Sequence, residues 1–242
     1  MNRFLAPLKE VAALATGLVL AGASTSANAA QLHVRPISIE LTAPAKASKV
    51  ILTNRGKTPI AAQARLFRWT QKNGRDVLER TRMVVASPPL LKMKPGREHV
   101  VRIVRLAKTP VQGEESYRLI VDEIPQKKLK GSGVVFALRY SIPVFFQQPG
   151  ATPPKVSWQA LRTKGGVLLK ARNAGQKHER ISNLRLTLPG GRTVVVSKGL
   201  AGYVLGNSGR VWKTRLHLKA GTRLTIRGNG LNGPFTTTIR VR

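Results

Sequence analysis

Short segments of alternating apolar and polar residues recur along most of the chain, and glycine, proline or asparagine separates one segment from the next. Alternation with a period of two is typical of β-strands that bury one face, whereas amphipathic helices repeat every 3.6 residues. After the first thirty residues, no window of eleven or more residues has the helical period. The pattern therefore predicts an all-β protein.

The predicted strands fall into two groups. The first group covers residues 32–41, 49–54, 60–70, 90–93, 97–106, 117–124 and 134–146, and the second covers 156–162, 167–173, 181–188, 192–196, 209–218, 222–227 and 235–241. Seven strands over about 115 residues, joined by turn dipeptides such as Asn73-Gly74 and Pro95-Gly96, are typical of an immunoglobulin-like sandwich. The second group predicts another, smaller sandwich.

A break in the pattern separates the two groups. Residues 147–154 read Gln-Gln-Pro-Gly-Ala-Thr-Pro-Pro, and three prolines and a glycine in eight residues cannot pair as a strand. We therefore expect an N-terminal domain over 31–148, a linker over 149–154 and a C-terminal domain over 155–242.

The first thirty residues have the composition of a secretory signal peptide. Arg3 and Lys9 give a basic start, residues 11–23 are apolar, and Ala27-Asn28-Ala29 provides small residues for cleavage after position 29 or 30. The apolar run is too short to span a bilayer, although a retained signal anchor is the alternative. No later window offers about 18 consecutive apolar residues, so the mature chain is expected to be exported and not embedded in a membrane.

Charge is large and unevenly distributed. The chain has 42 Lys and Arg against 10 Asp and Glu, for a formal net charge of +32, and Glu179 is the only acid after Glu123. Such a field favours acidic partners and polyanions. Export, and the scattering of the bases along predicted strands, argue against nucleic acid as the partner. With no cysteine, the domains must be held together by burial and not by disulfides.

No constellation of catalytic or metal-binding residues is recognisable. The four histidines are dispersed, without metal-ligand spacing. Asp122 and Glu123 are neighbours on a predicted strand, so they point to opposite faces and cannot act as an acid–base pair. Nucleophile elbows, phosphate loops and dinucleotide motifs are missing. The sequence predicts a protein that is not an enzyme and that needs no metal or cofactor, since an exported hydrolase has almost no residues to support it.

The predicted strand at 134–146 carries a ridge of large apolar side chains. Alternation places five of them on one face, namely Val134, Phe136, Leu138, Tyr140 and Ile142. This ridge is either ordinary sandwich core or a surface for another polypeptide. Pro143 favours an edge strand, because proline cannot donate to a ladder, and an exposed apolar edge is a hazard unless a partner occupies it.

Four motifs in order resemble the periplasmic chaperones of chaperone–usher pili, and are most similar to the archaic branch that assembles spore-coat and biofilm pili. They are Ser87-Pro88-Pro89, then Pro95-Gly96 with Val101-Arg102-Ile103, then Tyr117-Arg118-Leu119-Ile120-Val121-Asp122-Glu123-Ile124-Pro125, then Arg139-Tyr140-Ser141-Ile142-Pro143-Val144-Phe145. The resemblance covers residues 32 to 147. The second domain resembles the family in size, position and β character.

The resemblance implies two immunoglobulin-like domains in an L-shaped or boomerang arrangement. Such a chaperone captures pilin subunits in the periplasm by lending them a strand, and delivers them to an outer-membrane usher without a cofactor. The implied donor row is Val134, Phe136 and Leu138, continued by Tyr140 and Ile142. Association of the free form through its apolar edge is left open.

The same resemblance implies roles for three charged residues. Arg118 is implied to anchor the pilin's C-terminal carboxylate, which a guanidinium can bind bidentately. The two anchor positions of the better-known chaperones correspond here to Ser38 and Pro143, which carry no charge. An Arg118–Asp122 pair within one strand is the alternative role. Arg102 and Glu123 are implied to form a salt bridge that fixes the angle between the domains.

A second function remains open from the sequence. A secreted two-domain β adhesin, or a protein that binds polyanions through its basic C-terminal domain, would share the signal peptide, the β pattern and the charge.

Overall fold

The computed structural model describes residues 32–124 and 137–242. Eighteen β-strands account for the regular structure of these ranges, which contain no helix, and the all-β prediction is confirmed. Within the same ranges, no helix has the length and apolar character needed to cross a bilayer. The expected signal peptide (1–30), Val134 and Phe136 lie outside the described residues.

Ten strands form the N-terminal sandwich. They are β1 (Leu32–Arg35), β2 (Ile39–Thr42), β3 (Ala47–Asn54), β4 (Ile60–Lys72), β5 (Arg75–Arg80), β6 (Val84–Ser87), β7 (Leu90–Met93), β8 (Glu98–Arg105), β9 (Glu114–Ile124) and β10 (Arg139–Gln147). One sheet, sheet A, has the order β1-β3-β8-β6, and the other, sheet B, has the order β2-β10-β9-β4-β5, with β7 also on β4. Alternate residues of both sheets, including Val50, Ile103, Leu119 and Val121, are fully buried between them.

The first predicted strand is divided between the two sheets, which corrects the continuous strand expected over 32–41. β1 pairs antiparallel with β3, whereas β2 pairs parallel with β10. Pro36 follows β1 directly and has no N–H to extend its ladder. The chain therefore crosses from sheet A to sheet B at residues 36–38.

Eight strands form the C-terminal sandwich. They are β11 (Val156–Thr163), β12 (Gly166–Asn173), β13 (Glu179–Thr187), β14 (Thr193–Val195), β15 (Leu200–Val204), β16 (Gly209–Lys213), β17 (Arg223–Gly230) and β18 (Gly233–Arg240). Sheet C has the order β11-β12-β16, and sheet D has the order β14-β13-β17-β18, with β15 also on β13. Leu169, Leu184, Leu186 and Ile226 are completely buried in its core.

Three strands were not predicted, and the strands predicted over 134–146 and 209–218 extended too far, since β10 begins only at Arg139. β5 is mostly charged and exposed, so it carries no apolar alternation, and β6 and β15 are short. β16 ends at Lys213, whereas the prediction extended to residue 218. The proline-rich stretch between β10 and β11 contains no strand, as its composition indicated.

The two sandwiches meet at the hairpin of β4 and β5. Asn73 and Gly74 form its turn with φ of 53° and 75°. The Gly74 carbonyl accepts a hydrogen bond of 3.1 Å from the Val211 N–H, and a Cβ at Gly74 would lie 2.4 Å from Val211 Cγ2. The turn therefore needs glycine for its backbone conformation and for its close approach to the C-terminal sandwich.

Candidate functional site

Arg118 lies on the face of sheet B that looks away from the N-terminal core. Tyr117, Leu119 and Val121 of the same strand point into the core, so alternation places Arg118 on the opposite face. Its guanidinium carbon lies 3.7 Å from the centre of the Trp69 ring and 5.1 Å from the centre of the Tyr203 ring. One guanidinium nitrogen donates a 3.3 Å hydrogen bond to the Ser141 carbonyl.

Aromatic side chains from both sandwiches form the wall beside this cation. Trp69 and Phe145 come from the N-terminal sandwich, Tyr203 and Leu205 come from the C-terminal sandwich, and all four are buried in one cluster. The Trp69 and Tyr203 rings meet edge to face with centroids 5.3 Å apart. Arg118 is therefore held by cation–π contacts with rings from both halves, at a junction that we call the cleft.

The Arg118 guanidinium has no carboxylate partner within residues 32–124 and 137–242. Burial lowers the pKa of Arg118, yet a guanidinium stays protonated in proteins. The carboxylate of Asp76 contributes to its electrostatic environment, but Asp76 is already bonded to Arg210 at 2.6 Å. A partly desolvated cation without a counter-ion is a site that an anion would stabilise.

Asp122 is occupied elsewhere, so the alternative Arg118–Asp122 pair is not formed. Its carboxylate binds Arg65 at 2.5 Å and also Arg139. Burial acts to raise the pKa of Asp122, but the hydrogen bonds from Arg139 and Arg65 outweigh it and hold that pKa below its usual value. Arg118 is thus left free of Asp122, the acid four residues further along the strand.

An open backbone edge lies next to Arg118. β10 pairs with β9 along its whole length, but with β2 only from Val144 to Gln147. From Arg139 to Pro143, the other edge of β10 has no strand partner among the described residues. Pro143, which favoured an edge position from sequence, lies in this one-sided part of β10 and directly opposite Arg118.

The ridge residues that the structure describes face the sandwich's own core. Ile142 is 2% exposed within that core, and Leu138 and Tyr140 pack against it. The Tyr140 hydroxyl donates a 2.5 Å hydrogen bond to the Leu32 carbonyl. For Leu138, Tyr140 and Ile142, therefore, the ridge is part of the sandwich's own core.

Arg102 and Glu123 are not brought together, which corrects the expected interdomain salt bridge. Arg102 is exposed on β8 in sheet A, opposite Lys49. Glu123 lies in sheet B, and nine residues of extended strand place it roughly 30 Å from Glu114, the end of β9 that meets the C-terminal sandwich. Glu123 accepts a 3.4 Å hydrogen bond from the Leu138 N–H and does not face the hinge.

Glu114 and His178 make the polar link across the interface instead. His178 Nδ1 lies 2.8 Å from one Glu114 oxygen, and the His178 N–H donates to the other at 3.1 Å. Both side chains are at most 2% exposed, and the His178 ring stacks on Phe145 with centroids 3.6 Å apart. The sequence did not predict this pair, because Glu114 and His178 are 64 residues apart and the pattern of neighbouring residues gives no sign of such a contact.

No cluster of three or more His, Cys, Asp or Glu side chains is placed to hold a metal ion in the described parts of the chain. What the site offers is a cation in an aromatic cleft beside an open strand edge. This arrangement suits the binding of a polypeptide with a free carboxylate.

Known proteins share this architecture. Residues 31–152 match the family described as pili and flagellar-assembly chaperone, PapD N-terminal domain. The solved chaperone–tip subunit pre-assembly complex CsuC-CsuE, from the archaic chaperone-usher Csu pili of Acinetobacter baumannii, is 30% identical over 88% of this chain and 98% of the matched chain, with a TM-score of 0.68. The Salmonella enterica SafA pilin complex with the SafB chaperone matches 86% of this chain and 96% of that chain, with a TM-score of 0.61, and at 14% identity it shows the fold alone.

Curated relatives are similar over about half of the chain. The uncharacterized fimbrial chaperone YhcA of Escherichia coli K12 is 27% identical over 116 residues, which are 48% of this chain and 52% of YhcA. The chain spans about half the length of the curated relatives it matches. From the family match over half of the chain and the 30% identity to CsuC-CsuE over nearly the whole of it, the chain belongs to the family of pilus and flagellar-assembly chaperones.

Proposed function

We propose that this protein is a periplasmic chaperone that captures pilin subunits by donor-strand complementation and delivers them to an outer-membrane usher. The observation that carries the proposal is the unpaired, partly buried guanidinium of Arg118 beside the open edge of β10. Support comes from the relatives, because CsuC is solved with a tip subunit and SafB with a pilin.

The open edge supplies backbone groups for the client. Over residues 139–142, β10 has a strand partner on only one side among the described residues, so its outward N–H and C=O groups can pair with an added strand. Main-chain hydrogen bonds then give affinity, and alternate side chains give specificity. Val134, Phe136 and Leu138 form the row that enters the pilin, and Leu138, Tyr140 and Ile142 pack against the chaperone's own core in the absence of a client.

Arg118 binds the C-terminal carboxylate of the pilin. Its planar fork can donate two parallel hydrogen bonds to a carboxylate, and the Trp69 stack holds that plane in place. Residues directly opposite on antiparallel strands share a face, with Cβ atoms about 5 Å apart. Arg118 is opposite Pro143, where the better-known chaperones have their lysine, so the positive charge is retained on the adjacent strand.

Capture needs no nucleotide, metal or catalytic group, so the protein is a binding protein and not an enzyme. Export through the signal peptide at 1–30 brings it to the compartment where pilins emerge. In the absence of a client, the same edge offers a site for a second copy of the chain. The adhesin alternative is disfavoured, since the family relatives are chaperones.

Co-expression with a pilin from the same genome, followed by co-purification, tests the donor row. Phe136→Asp and Leu138→Asp should each abolish the soluble complex, because an unpaired charge in an apolar groove costs several kcal/mol. Leu200→Asp is the control, since Leu200 is 56% exposed on the C-terminal sandwich and should leave capture unchanged. Undiminished capture by the first two variants, or their unfolding without client, would show that the ridge is ordinary core.

A further inference from the structure

Tyr203 is held beside Arg118 by contacts that join the two sandwiches. The Tyr203 carbonyl accepts a 2.8 Å hydrogen bond from the Gln71 side-chain amide, and the Leu205 N–H donates to the oxygen of the same amide at 3.0 Å. Gln71 therefore clamps strand β15 to the end of β4. The position of the Tyr203 ring relative to Arg118 is fixed by both halves of the protein.

The hydroxyl of Tyr203 has an unused donor. Tyr203 is 6% exposed, yet its hydroxyl makes no hydrogen bond with residues 32–124 or 137–242. The hydroxyl oxygen is also not among the buried polar atoms without a partner in these ranges, so solvent still reaches it. Burial raises the pKa of Tyr203 although the charges of Arg118 and Arg180 oppose it, so the phenol keeps its proton at neutral pH. The hydroxyl can therefore donate to an anion that reaches the cleft.

A buried carboxylate needs more than one donor group. Its two oxygens carry about four lone-pair sites, and a bidentate guanidinium fills only two of them. Lone pairs left empty in a desolvated cleft are costly. A phenolic O–H next to the guanidinium would fill a third site without bringing a second positive charge close to Arg118.

We propose that the Tyr203 hydroxyl is the second donor to the terminal carboxylate of the client, so that the two sandwiches together build one anion site. This inference rests on the proposed function, in which Arg118 is the first donor. It gives the C-terminal sandwich a direct part in client binding. It also makes the site complete only while Gln71 holds β15 against β4.

Other groups near the cleft fit this role less well. Arg210 is committed to Asp76 through an ion pair of 2.6 Å. Arg180 is opposite Tyr203 on β13, but its side chain is exposed. Tyr203 combines burial, contact with the guanidinium and a free donor.

Binding of a synthetic peptide tests the inference. The peptide matches the C-terminal strand of a pilin from the same genome, made once with a free carboxylate and once as the C-terminal amide. Tyr203→Phe keeps the ring and removes only the hydroxyl. Since a hydrogen bond to a charged group is worth about 1.5–3 kcal/mol, the variant should bind the acid peptide at least about 10-fold more weakly and the amide peptide as wild type does.

Tyr117→Phe is the matched control. It also removes one buried hydroxyl, which donates to Glu115 at 3.0 Å, but it points into the N-terminal core and away from the cleft. Its preference for acid over amide should equal that of wild type. Circular dichroism of each variant confirms that the fold is retained.

The outcomes separate this inference from the function beneath it. If Arg118→Ala loses the preference for the acid peptide and Tyr203→Phe keeps it, the Tyr203 role is wrong and the proposed function stands. Equal weakening of acid and amide by Tyr203→Phe, or a selective loss in Arg180→Gln instead, also overturns the Tyr203 role. If the wild-type protein shows no preference for the acid, the carboxylate anchor itself is contradicted.

Discussion

The two sandwiches share an architecture but differ in how far their positive charges are balanced by acids. Residues 32–147 contain eight acids, and the ion pairs of the described chain involve all of them except Glu123. Residues 148–242 contain eighteen Lys and Arg and a single acid, Glu179. The only C-terminal groups in ion pairs there, Arg210 and His178, reach across to acids of the N-terminal sandwich.

This difference explains how Arg118 stays available. In the N-terminal sandwich, acids neutralise the cations that need it, as Glu115 does for the buried Arg105. The C-terminal sandwich covers the cleft with apolar and aromatic residues and brings no free carboxylate to Arg118. The interface therefore desolvates this cation without neutralising it, which is the condition for binding an anion from a client.

Replacing Arg105 and Arg118 with methionine should give the largest difference in the free energy of unfolding. Arg105 is 3% exposed in its side chain and binds Glu115 through two hydrogen bonds of 2.7 and 2.9 Å. Arg105→Met leaves the Glu115 carboxylate without its partner, which should lower the free energy of unfolding by about 3–5 kcal/mol. Arg118→Met removes no ion pair and only the cation–π contacts with Trp69 and Tyr203, so it should lower that free energy by about 0.5–2 kcal/mol. Urea unfolding measures both, and similar losses would mean that Arg118 has a structural role.

Alanine substitutions at two glycines distinguish the cost of losing the contact between the sandwiches from the cost of straining a turn. Gly74 and Gly96 both have positive φ, of 75° and 67°, but a Cβ at Gly96 meets nothing within 4 Å. Gly96→Ala should cost about 1–2 kcal/mol for the left-handed backbone alone. Gly74→Ala adds overlap with Val211, which costs typically another 1–3 kcal/mol. Equal losses in thermal or urea unfolding would show that the C-terminal sandwich is not seated on this turn.

The smallest change in stability is expected for a pair of like charges on the basic surface of the C-terminal sandwich. Arg185 and Arg227 are exposed and directly opposite on β13 and β17, with no acid paired to either among the described residues. Arg185→Glu replaces a like-charge pair with an attractive one and should stabilise the protein by about 0.2–1 kcal/mol. The gain should shrink in high salt, because exposed charges are screened. A loss of stability at low salt would mean that repulsion between Arg185 and Arg227 does not destabilise the folded protein.

Much of the fold could be predicted, because strand alternation is a local signal. The β strands around Leu119 and Val121, the turn at Asn73-Gly74 and the break near Pro149 were all visible in the sequence. β5 was not, since its residues are charged and its pairing with β4 is set by the turn. The division of the first strand was missed because a crossing between sheets leaves the apolar alternation intact.

The site was predictable only in part. Arg118 was identified from a motif on one strand, but its neighbours Trp69 and Tyr203 are 49 and 85 residues away in sequence and come from different sandwiches. The Arg102–Glu123 pair was wrong because a single sequence does not reveal which end of a strand faces the second domain. Contacts across an interface are non-local, and alternation carries no information about them.

Co-purification of the chaperone with a co-expressed pilin tests the central claim most directly. Arg118→Ala should abolish the soluble complex while circular dichroism shows a folded chaperone. Arg65→Ala, which removes an arginine already bound to Asp122 on the same sheet face, should retain the complex. Undiminished complex with Arg118→Ala would contradict the account, because Arg118, a partly buried cation without a carboxylate partner, would then have no part in holding the client.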